Sequence, residues 1–275
     1  MQDCVIGCFS GYGWDDVRVW AQSLAASGFS GRKVALTRAP PESVTQALVA
    51  LGFDVLDFVQ FPAAGAPHVE RFANLRRYLF SRRQQGQTFR WVIATDVRDV
   101  VFQRIPINYL RHFEPPRLVL SPEGMLYAHA EWNAANLVEA FGAEALQMLL
   151  QTPPSNVGVL AGGHRAIEGL ALLIEQLARV VPDGVADQAA LNLLIEGMGD
   201  ALAVHGAGPA EPWACQAGVM ADPTRIERNR PHLLGPEPVF RDGWVLTASG
   251  EPYAIVHQYD RVPDWHAAIR ARFPG

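Results

Sequence analysis

The first half of the chain alternates between two hydrophobic patterns. Short apolar runs, which predict buried strands, are separated by longer segments whose apolar residues recur at helical spacing. The strand-like runs cover residues 4–9, 33–36, 53–59 and 89–95. The helical segments between them cover residues 15–24, 42–51 and 69–83. This alternation predicts an α/β fold in which helices cover a mainly parallel sheet.

The second half is less regular, but it predicts further elements of both kinds. Strands are expected over residues 117–121, 156–161 and 253–257. Helices are expected over residues 132–150, with an interruption near Gly142, and over 166–181 and 187–196. Residues 206–238 are rich in glycine and proline, and a loop-rich stretch of this length favours a lid or binding loop. No repeat or linker divides the chain, so we expect a single domain over 1–275.

Lysine is nearly absent, which excludes several ways of handling phosphate. The 23 cationic and 28 acidic side chains give a net charge of −5, and Lys33 is the single lysine. A P-loop requires Gly-Lys-Ser/Thr, but Val34 follows Lys33. Pyridoxal-phosphate and Schiff-base enzymes require a buried reactive lysine. Arginine, backbone N–H groups or a metal ion must therefore bind any phosphate.

Composition and missing motifs disfavour other function classes. The acidic pI of about 5.9 argues against a nucleic-acid surface, and no apolar run is long enough to span a membrane. Neither the Gly-x-Ser-x-Gly elbow of serine hydrolases nor a Cys-x-x-Cys or His-Glu-x-x-His zinc motif occurs. The chain starts without a basic and apolar leader, and three sparse cysteines suit a reducing compartment. We therefore expect a cytoplasmic protein with buried thiols.

Two carboxylates stand directly after the strand predicted over 89–95. They are Asp96 and Asp99, with Val97 and Arg98 between them. Ligands of open α/β sheets bind beyond the carboxyl ends of the strands, where carboxylates suit Mg²⁺ or Mn²⁺, which can in turn hold a diphosphate. Aspartate is also a favoured turn residue, so the spacing alone leaves a metal site and an ordinary turn equally open.

The segment over 95–103, Thr-Asp-Val-Arg-Asp-Val-Val-Phe-Gln, resembles the Asp-x-Asp region of nucleotide-sugar-dependent glycosyltransferases with the GT-A fold. The acids here are three positions apart, so the spacing is Asp-x-x-Asp. Three further segments follow in the order of that family. Residues 156–163 resemble its Asn-x-Gly-Val strand, residues 186–192 its Asp-Gln-x-x-Leu-Asn helix, and residues 256–261 its late strand with a histidine.

The resemblance implies a fold, an activity and a set of partners. The fold would be a single GT-A-like, Rossmann-like domain, with a nucleotide-binding half over about 1–103 and a donor-sugar and acceptor half over about 104–275. The activity would be that of a hexosyltransferase-type glycosyltransferase that uses Mn²⁺ or Mg²⁺. The donor would be a nucleoside-diphosphate sugar of the UDP-sugar class, and the acceptor a glycan, a glycolipid or another hydroxyl compound. Retention or inversion stays open, as does peripheral membrane contact.

The same resemblance assigns roles to individual positions. Asp99 and His257, together with Asp96, would bind the metal ion. The donor and its nucleotide would be bound by Ser10, Tyr12, Arg71, Asp96, Val97, Arg98, Asn156 and Gly158. Asp187 and Gln188 would lie at the sugar and the acceptor, as the catalytic pair.

Four of these positions also have a structural interpretation. Asp187 precedes an apolar helical face and would serve as a helix N-cap. His257 ends an apolar strand, where a hydrogen-bonded packing role is common. Gly158 permits close approach of a ligand, or equally a tight turn. Tyr12 lies between two glycines after the first strand, but the third glycine of a dinucleotide fingerprint is missing, so it either stacks on a base or lies in a simple turn.

Two further groups are candidates for the border of a ligand site. The loop-rich segment contains three arginines that could close over phosphates, Arg225, Arg228 and Arg230. Three tryptophans could offer flat faces to a sugar, Trp132, Trp213 and Trp265, although tryptophan is also a common core residue.

Two other functions are compatible with the predicted topology. A sugar-nucleotide nucleotidyltransferase shares it, but normally carries a glycine-rich loop with a downstream lysine, and this chain has neither. A non-catalytic nucleotide-sugar-binding protein would keep the same fold and site, because fold does not imply function.

Overall fold

Twelve strands and eleven α-helices lie in the part of the chain that the computed structural model describes, residues 1–57, 67–115, 117–181 and 185–275. The strands are β1 (Gln2–Ser10), β2 (Arg32–Arg38), β3 (Phe53–Asp57), β4 (Phe89–Thr95), β5 (Val100–Phe102), β6 (Leu118–Pro122), β7 (Ser155–Gly162), β8 (Val204–Gly206), β9 (Ala214–Gln216), β10 (Val239–Arg241), β11 (Trp244–Leu246) and β12 (Ile255–His257). The helices are α1 (Trp14–Ala26), α2 (Glu42–Ala50), α3 (Pro67–Gln84), α4 (Ile107–Leu110), α5 (Glu131–Phe141), α6 (Ala143–Leu149), α7 (His164–Ala178), α8 (Asp187–Met198), α9 (Ala217–Met220), α10 (Ile226–Asn229) and α11 (Pro263–Arg272). None of the described helices is both long and apolar enough to cross a membrane.

The central sheet has seven strands in the order β3-β2-β1-β4-β7-β6-β8. Strands β3, β2, β1 and β4 are parallel neighbours. Strand β7 runs antiparallel to both β4 and β6, and β8 pairs parallel with β6. The predicted α/β fold with a mainly parallel sheet is therefore confirmed, with β7 as the strand that runs against the others.

Two apolar layers, one on each face of the sheet, hold the helices in place. Successive residues of β1 alternate between them, since Val5 belongs to one buried cluster and Ile6 to the other. Helices α1 and α2 contribute side chains such as Trp20 to the first cluster. Helices α3 and α7 contribute side chains such as Leu79 and Ile174 to the second. Burial on both faces explains why the central strands read as continuous apolar runs.

A second, three-stranded sheet brings the sequence-distant site residues together. Its order is β5-β12-β9, with β12 antiparallel to β5 and parallel to β9. In this register His257 lies opposite Val100, the residue after Asp99. His257 also lies opposite Gln216 on β9. The register therefore places three polar residues from separate parts of the chain at one end of this small sheet.

The observed boundaries follow the sequence pattern where that pattern is strong. Helices α2 and α8 begin where they are predicted, and Gly142, whose φ of +86° suits glycine, separates α5 from α6. Residues 58 and 59, the predicted end of the third strand, lie outside the described residues. The stretch 206–238 is not loop alone, because it contains β9, α9 and α10.

The single lysine has a structural contact at the amino ends of the parallel strands, opposite the end where the carboxylates lie. Lys33, near the start of β2, donates from Nζ to the carbonyl oxygen of Leu51 at 2.5 Å. That carbonyl follows the last turn of α2, where helix carbonyls lack intrahelical partners. Lys33 therefore closes a helix end and does not approach the carboxyl ends of the strands.

A tight contact beneath β1 offers a test of the packing. A methyl group on Gly7 would lie 2.6 Å from both Trp20 Cζ2 and Val97 Cγ2. Trp20 cannot easily move, because its indole N–H donates to Thr95 Oγ1 at 2.9 Å. We expect Gly7→Ala to lower the free energy of unfolding by about 1–3 kcal/mol, measured by urea denaturation. The control is Gly169→Ala, inside α7 with open space around the added methyl, which should stabilise by about 0.5–1 kcal/mol. Equal effects of the two substitutions would contradict this packing.

Candidate functional site

Three side chains with metal-ligating atoms converge beyond the carboxyl end of β4. Asp96 and Asp99 lie between β4 and β5, and His257 is the last residue of β12. The Nε2 atom of His257 lies 3.3 Å from Asp96 Oδ2 and 3.6 Å from Asp99 Oδ1. One ligand atom from each residue lies within 4.8 Å of the others. A single cation between these atoms could contact all three residues.

The imidazole of His257 is fixed on two sides. Its Nδ1 lies 2.8 Å from the side-chain oxygen of Gln216, and we assign the tautomer in which Nδ1 donates to that oxygen and Nε2 keeps its lone pair towards the carboxylates. Gly158 lies against the ring, since a Cβ there would come within 2.4 Å of Cε1 and 2.8 Å of Nε2. Burial lowers the pKa of His257, with Asp99 opposing that shift. A neutral imidazole with a free Nε2 is the form that binds metal ions.

The grouping of these acceptors favours a cation. Asp96 Oδ2, Asp99 Oδ1 and His257 Nε2 present lone pairs to one another, an arrangement that a cation between them would stabilise. Asp99 is only 8% exposed and His257 only 2%, whereas the Asp96 side chain is 31% exposed, so water screens the inner part of the cluster weakly. Two carboxylates and one imidazole suit a hard divalent cation that keeps further positions for water or ligand oxygens.

Arg71 links this cluster to the start of α8. Its Nη1 pairs with Asp96 Oδ1, and its Nη2 lies 2.7 Å from Asp187 Oδ2. The other oxygen of Asp187 accepts the backbone N–H of Gln188 at 2.9 Å. Asp187 is the first residue of α8. The prediction that it is the N-cap is wrong by one position, because Ala186 occupies the N-cap. Both carboxylate oxygens of Asp187 are engaged, which suits a group that orients its neighbours.

Two cavities meet at Arg71 and Asp96. The first, of about 350 Å³, lies beyond the end of β1, and we call it the β1 lobe. The second, of about 360 Å³, is bordered by the starts of α5 and α8 and by the loop-rich segment, and we call it the α5 lobe. Arg71 and Asp96 line both lobes. The site can therefore hold a ligand with two parts, one in each lobe, joined at the carboxylate cluster.

The structure brings every site residue named in the predicted ligand and catalytic sets to one of these lobes. Besides Arg71 and Asp96, which line both lobes together with His68, the predicted residues of the β1 lobe are Ser10, Tyr12, Val97, Arg98 and Asp99. The α5 lobe is lined by Asn156, Gly158, Asp187, Gln188 and His257. Tyr12 stacks on Phe9 with ring centroids 5.9 Å apart, so its ring is supported from one side.

The three candidate tryptophans have different surroundings. Trp132 lines the α5 lobe and is 51% exposed. Trp213 is fully buried and Trp265 is 6% exposed, and both belong to the packed core. The expectation that these two could offer a face to a sugar is therefore wrong, because apolar packing covers their rings.

The candidate arginines of the loop-rich segment also separate. Arg225 and Arg228 line the α5 lobe. Arg230 instead pairs with Glu227 at 2.7 Å and with Glu237 at 2.5 Å, and it does not border either lobe. The suggestion that all three arginines close over a ligand therefore holds for two of them at most.

A buried carboxylate that the sequence analysis missed lies in the wall of the α5 lobe. Glu123 is 4% exposed and accepts hydrogen bonds from three amides, Asn156 at 2.7 Å, Gln188 at 2.9 Å and Asn133 at 2.6 Å. Gln188 also accepts the backbone N–H of Val157 at 3.2 Å. Among the described residues no arginine or lysine pairs with Glu123. The amides compensate its charge, and in return it fixes Asn156 and Gln188.

Of the two residues of this site that the sequence analysis missed, Glu123 has a signal in the sequence and Gln216 has none. Glu123 follows β6 directly, so the rule that drew attention to Asp96 at a strand end applies to it as well. Gln216 ends β9, a strand of three residues that is too short to produce a periodic pattern. Only the pairing of β9 with β12 shows that Gln216 contacts His257.

The Gln216 contact defines an expected protonation pattern for His257. In the metal-free protein at neutral pH, imidazole ¹⁵N NMR should show Nδ1 protonated and Nε2 unprotonated. Gln216→Leu removes the acceptor, so the population should move towards the Nε2-protonated form. His164 provides an internal reference with the opposite pattern, because its Nδ1 accepts from Phe89 N at 3.1 Å and its Nε2 faces Leu79 O at 3.0 Å. A neutral wild-type His257 protonated on Nε2 would contradict the assignment.

Comparison with known proteins adds no family to this geometry. The chain matches no protein-family model, and no curated protein matches its sequence. A function for the chain must therefore be argued from the residues of the site and their contacts.

Proposed function

We propose that this protein is a metal-dependent glycosyltransferase that transfers a sugar from a nucleoside-diphosphate sugar to a hydroxyl group of a saccharide, glycolipid or related acceptor. A UDP-sugar is the proposed donor class. The observation that carries the proposal is the place of the Asp96, Asp99 and His257 cluster at the junction of two lobes of similar volume. A nucleotide sugar has the matching form, a diphosphate between a nucleoside and a sugar.

The β1 lobe would hold the nucleoside. Tyr12 offers an aromatic ring on which a base can stack, and Phe9 supports that ring at an interplanar angle of 9°. Ser10 and Arg98 add hydroxyl and guanidinium groups on the same side. These residues all belong to the half of the chain, about 1–103, that the resemblance to GT-A glycosyltransferases assigns to the nucleotide.

Asp99, His257 and Asp96 would hold Mn²⁺ or Mg²⁺. When bound there, such an ion supplies a Lewis acid that neutralises charge on the leaving diphosphate. Arg71 would assist from its place beside the cluster. Its side chain lines both lobes, so its guanidinium would place a positive charge beside the diphosphate.

The α5 lobe would hold the sugar. Gly158 lines this lobe, and its lack of a side chain lets the His257 ring lie where any Cβ would clash with it. Asn156 and Gln188 are held in place by Glu123, and Asp187 is held by Arg71. In this proposal Asp187 orients the sugar or the acceptor hydroxyl, because each of its carboxylate oxygens is held by one partner and keeps a second lone pair that can accept from a hydroxyl.

Calorimetric titration with UDP, with and without Mn²⁺, tests the proposal. We expect UDP to bind more tightly when Mn²⁺ is present. Asp99→Asn keeps the shape of the side chain but removes its charge, so it should weaken the Mn²⁺-dependent binding by at least about tenfold. Unchanged UDP affinity in this variant would rule out the metal role of Asp99.

Asp54→Asn is the matched control for that titration. Asp54 lies on β3, where it pairs with Arg32 at 2.5 Å, and it borders neither lobe. The substitution changes the net charge by the same amount, so it should leave the binding of UDP and Mn²⁺ unchanged. A similar loss in both variants would indicate a general charge effect instead of a ligand at position 99.

Turnover separates an enzyme from a binding protein on the same fold. We expect slow, Mn²⁺-dependent hydrolysis of a UDP-hexose in the absence of acceptor, measured as release of UDP and free sugar. Tight binding of the intact nucleotide sugar without any release, for every donor screened, would favour a non-catalytic binding protein. Formation of a nucleotide sugar from UTP and a sugar phosphate would favour a nucleotidyltransferase.

A further inference from the structure

Trp132 stands out because a large flat side chain is left exposed at the rim of a cavity. All seven tryptophans lie in described segments, and Trp132 is the one whose ring is mostly uncovered, at 51% exposure. It occupies the first turn of α5 and lines the α5 lobe. An indole in such a place offers a broad apolar surface that is still reachable from solvent.

Neighbouring residues on α5 extend from the rim of the lobe to its interior. Glu131, beside Trp132, is exposed and accepts from Arg228 Nη1 at 2.8 Å. Asn133, the next residue on the other side, is 6% exposed and donates to the buried Glu123. The start of α5 therefore carries an outer ion pair, an aromatic face and an inner amide in succession, all lining one cavity.

The ion pairs at the rim bear on the charge of a ligand. Arg228 pairs with Glu131, and Arg225 lies 3.7 Å from Asp222. Arg261, which also lines this lobe, lies 3.8 Å from Asp260, so each of these three arginines has an acidic partner and the rim offers donors and acceptors without an excess of positive charge. Such a surface matches hydroxyl groups, which both donate and accept, better than a phosphate or a carboxylate.

We infer that Trp132, with the Glu131–Arg228 pair, forms the acceptor subsite and binds an uncharged pyranose. The inference rests on the proposed function and narrows its acceptor to a neutral saccharide. One face of a pyranose ring presents C–H groups that pack on the indole, while its hydroxyls reach the ion pair. The donor sugar lies deeper, beside Gly158 and His257, so the acceptor hydroxyl enters from the rim towards it.

Saturation-transfer NMR with neutral disaccharides tests the inference directly. Lactose, maltose and cellobiose are the probes, added to the protein with Mn²⁺ and UDP. We expect at least one to bind through the protons of one ring face, with Trp132→Ala weakening its affinity by about tenfold or more. Trp132→Phe, which keeps an aromatic face, should retain most of the affinity. Equal binding to wild type and Trp132→Ala, or no binding of any probe, would overturn the inference.

Two controls keep the outcome separate from folding and from the proposed function. Phe80→Ala removes an aromatic ring of similar exposure, 44%, from a different surface groove, and should not affect saccharide binding. The affinity for UDP with Mn²⁺ should be the same in the Trp132 variants as in wild type. If UDP does not bind the wild-type protein but saccharide binding still depends on Trp132, the proposed function is wrong and the saccharide subsite stands. Preferential binding of glucuronate or glucose 6-phosphate over the neutral probes would overturn the neutral class.

Discussion

The site depends on the position of one imidazole ring. Gln216 fixes the ring at Nδ1, and the missing side chain of Gly158 lets it lie flat against β7, so that Nε2 faces two carboxylates. A side chain at position 158, or another residue at 216, would disturb the cluster although Asp96 and Asp99 themselves are unchanged. Gly158 and Gln216, which lie far apart in the sequence, thus decide whether the acidic turn after β4 can act as a cation site.

Arg71 extends this constraint to the rest of the cavity. It contacts the oxygen of Asp96 that faces away from His257, and it holds Asp187 at the start of α8. Because Arg71 also borders both lobes, one residue couples the carboxylate cluster to the wall of each. Glu123 performs a similar task on the far side, where three amides share its charge. The polar groups of the α5 lobe are therefore held in place before any ligand arrives, which favours binding by lowering the cost of ordering them.

The sequence predicts the parts of this arrangement that follow from periodicity and from strand ends. The alternation of strands and helices predicts the central sheet, and the strand-end rule places Asp96 and Asp99 beyond the carboxyl end of one of its strands. The sequence does not predict the reversed direction of β7, because a buried apolar strand has the same hydrophobic pattern in either direction. It also misses Gln216, whose strand has three residues, and it treats Trp213 as a candidate surface although the core covers it. Tertiary packing decides such cases, and no local pattern records it.

Anomalous diffraction at the manganese edge, from crystals grown with Mn²⁺ and UDP, tests the central claim most directly. We expect one strong peak within bonding distance of Asp99 and of His257 Nε2, with the uracil in the β1 lobe and the diphosphate against the metal. The same peak should be missing from crystals of the Asp99→Asn variant. UDP bound in the β1 lobe with no metal at the cluster, or manganese bound only elsewhere on the protein, would contradict the proposed site.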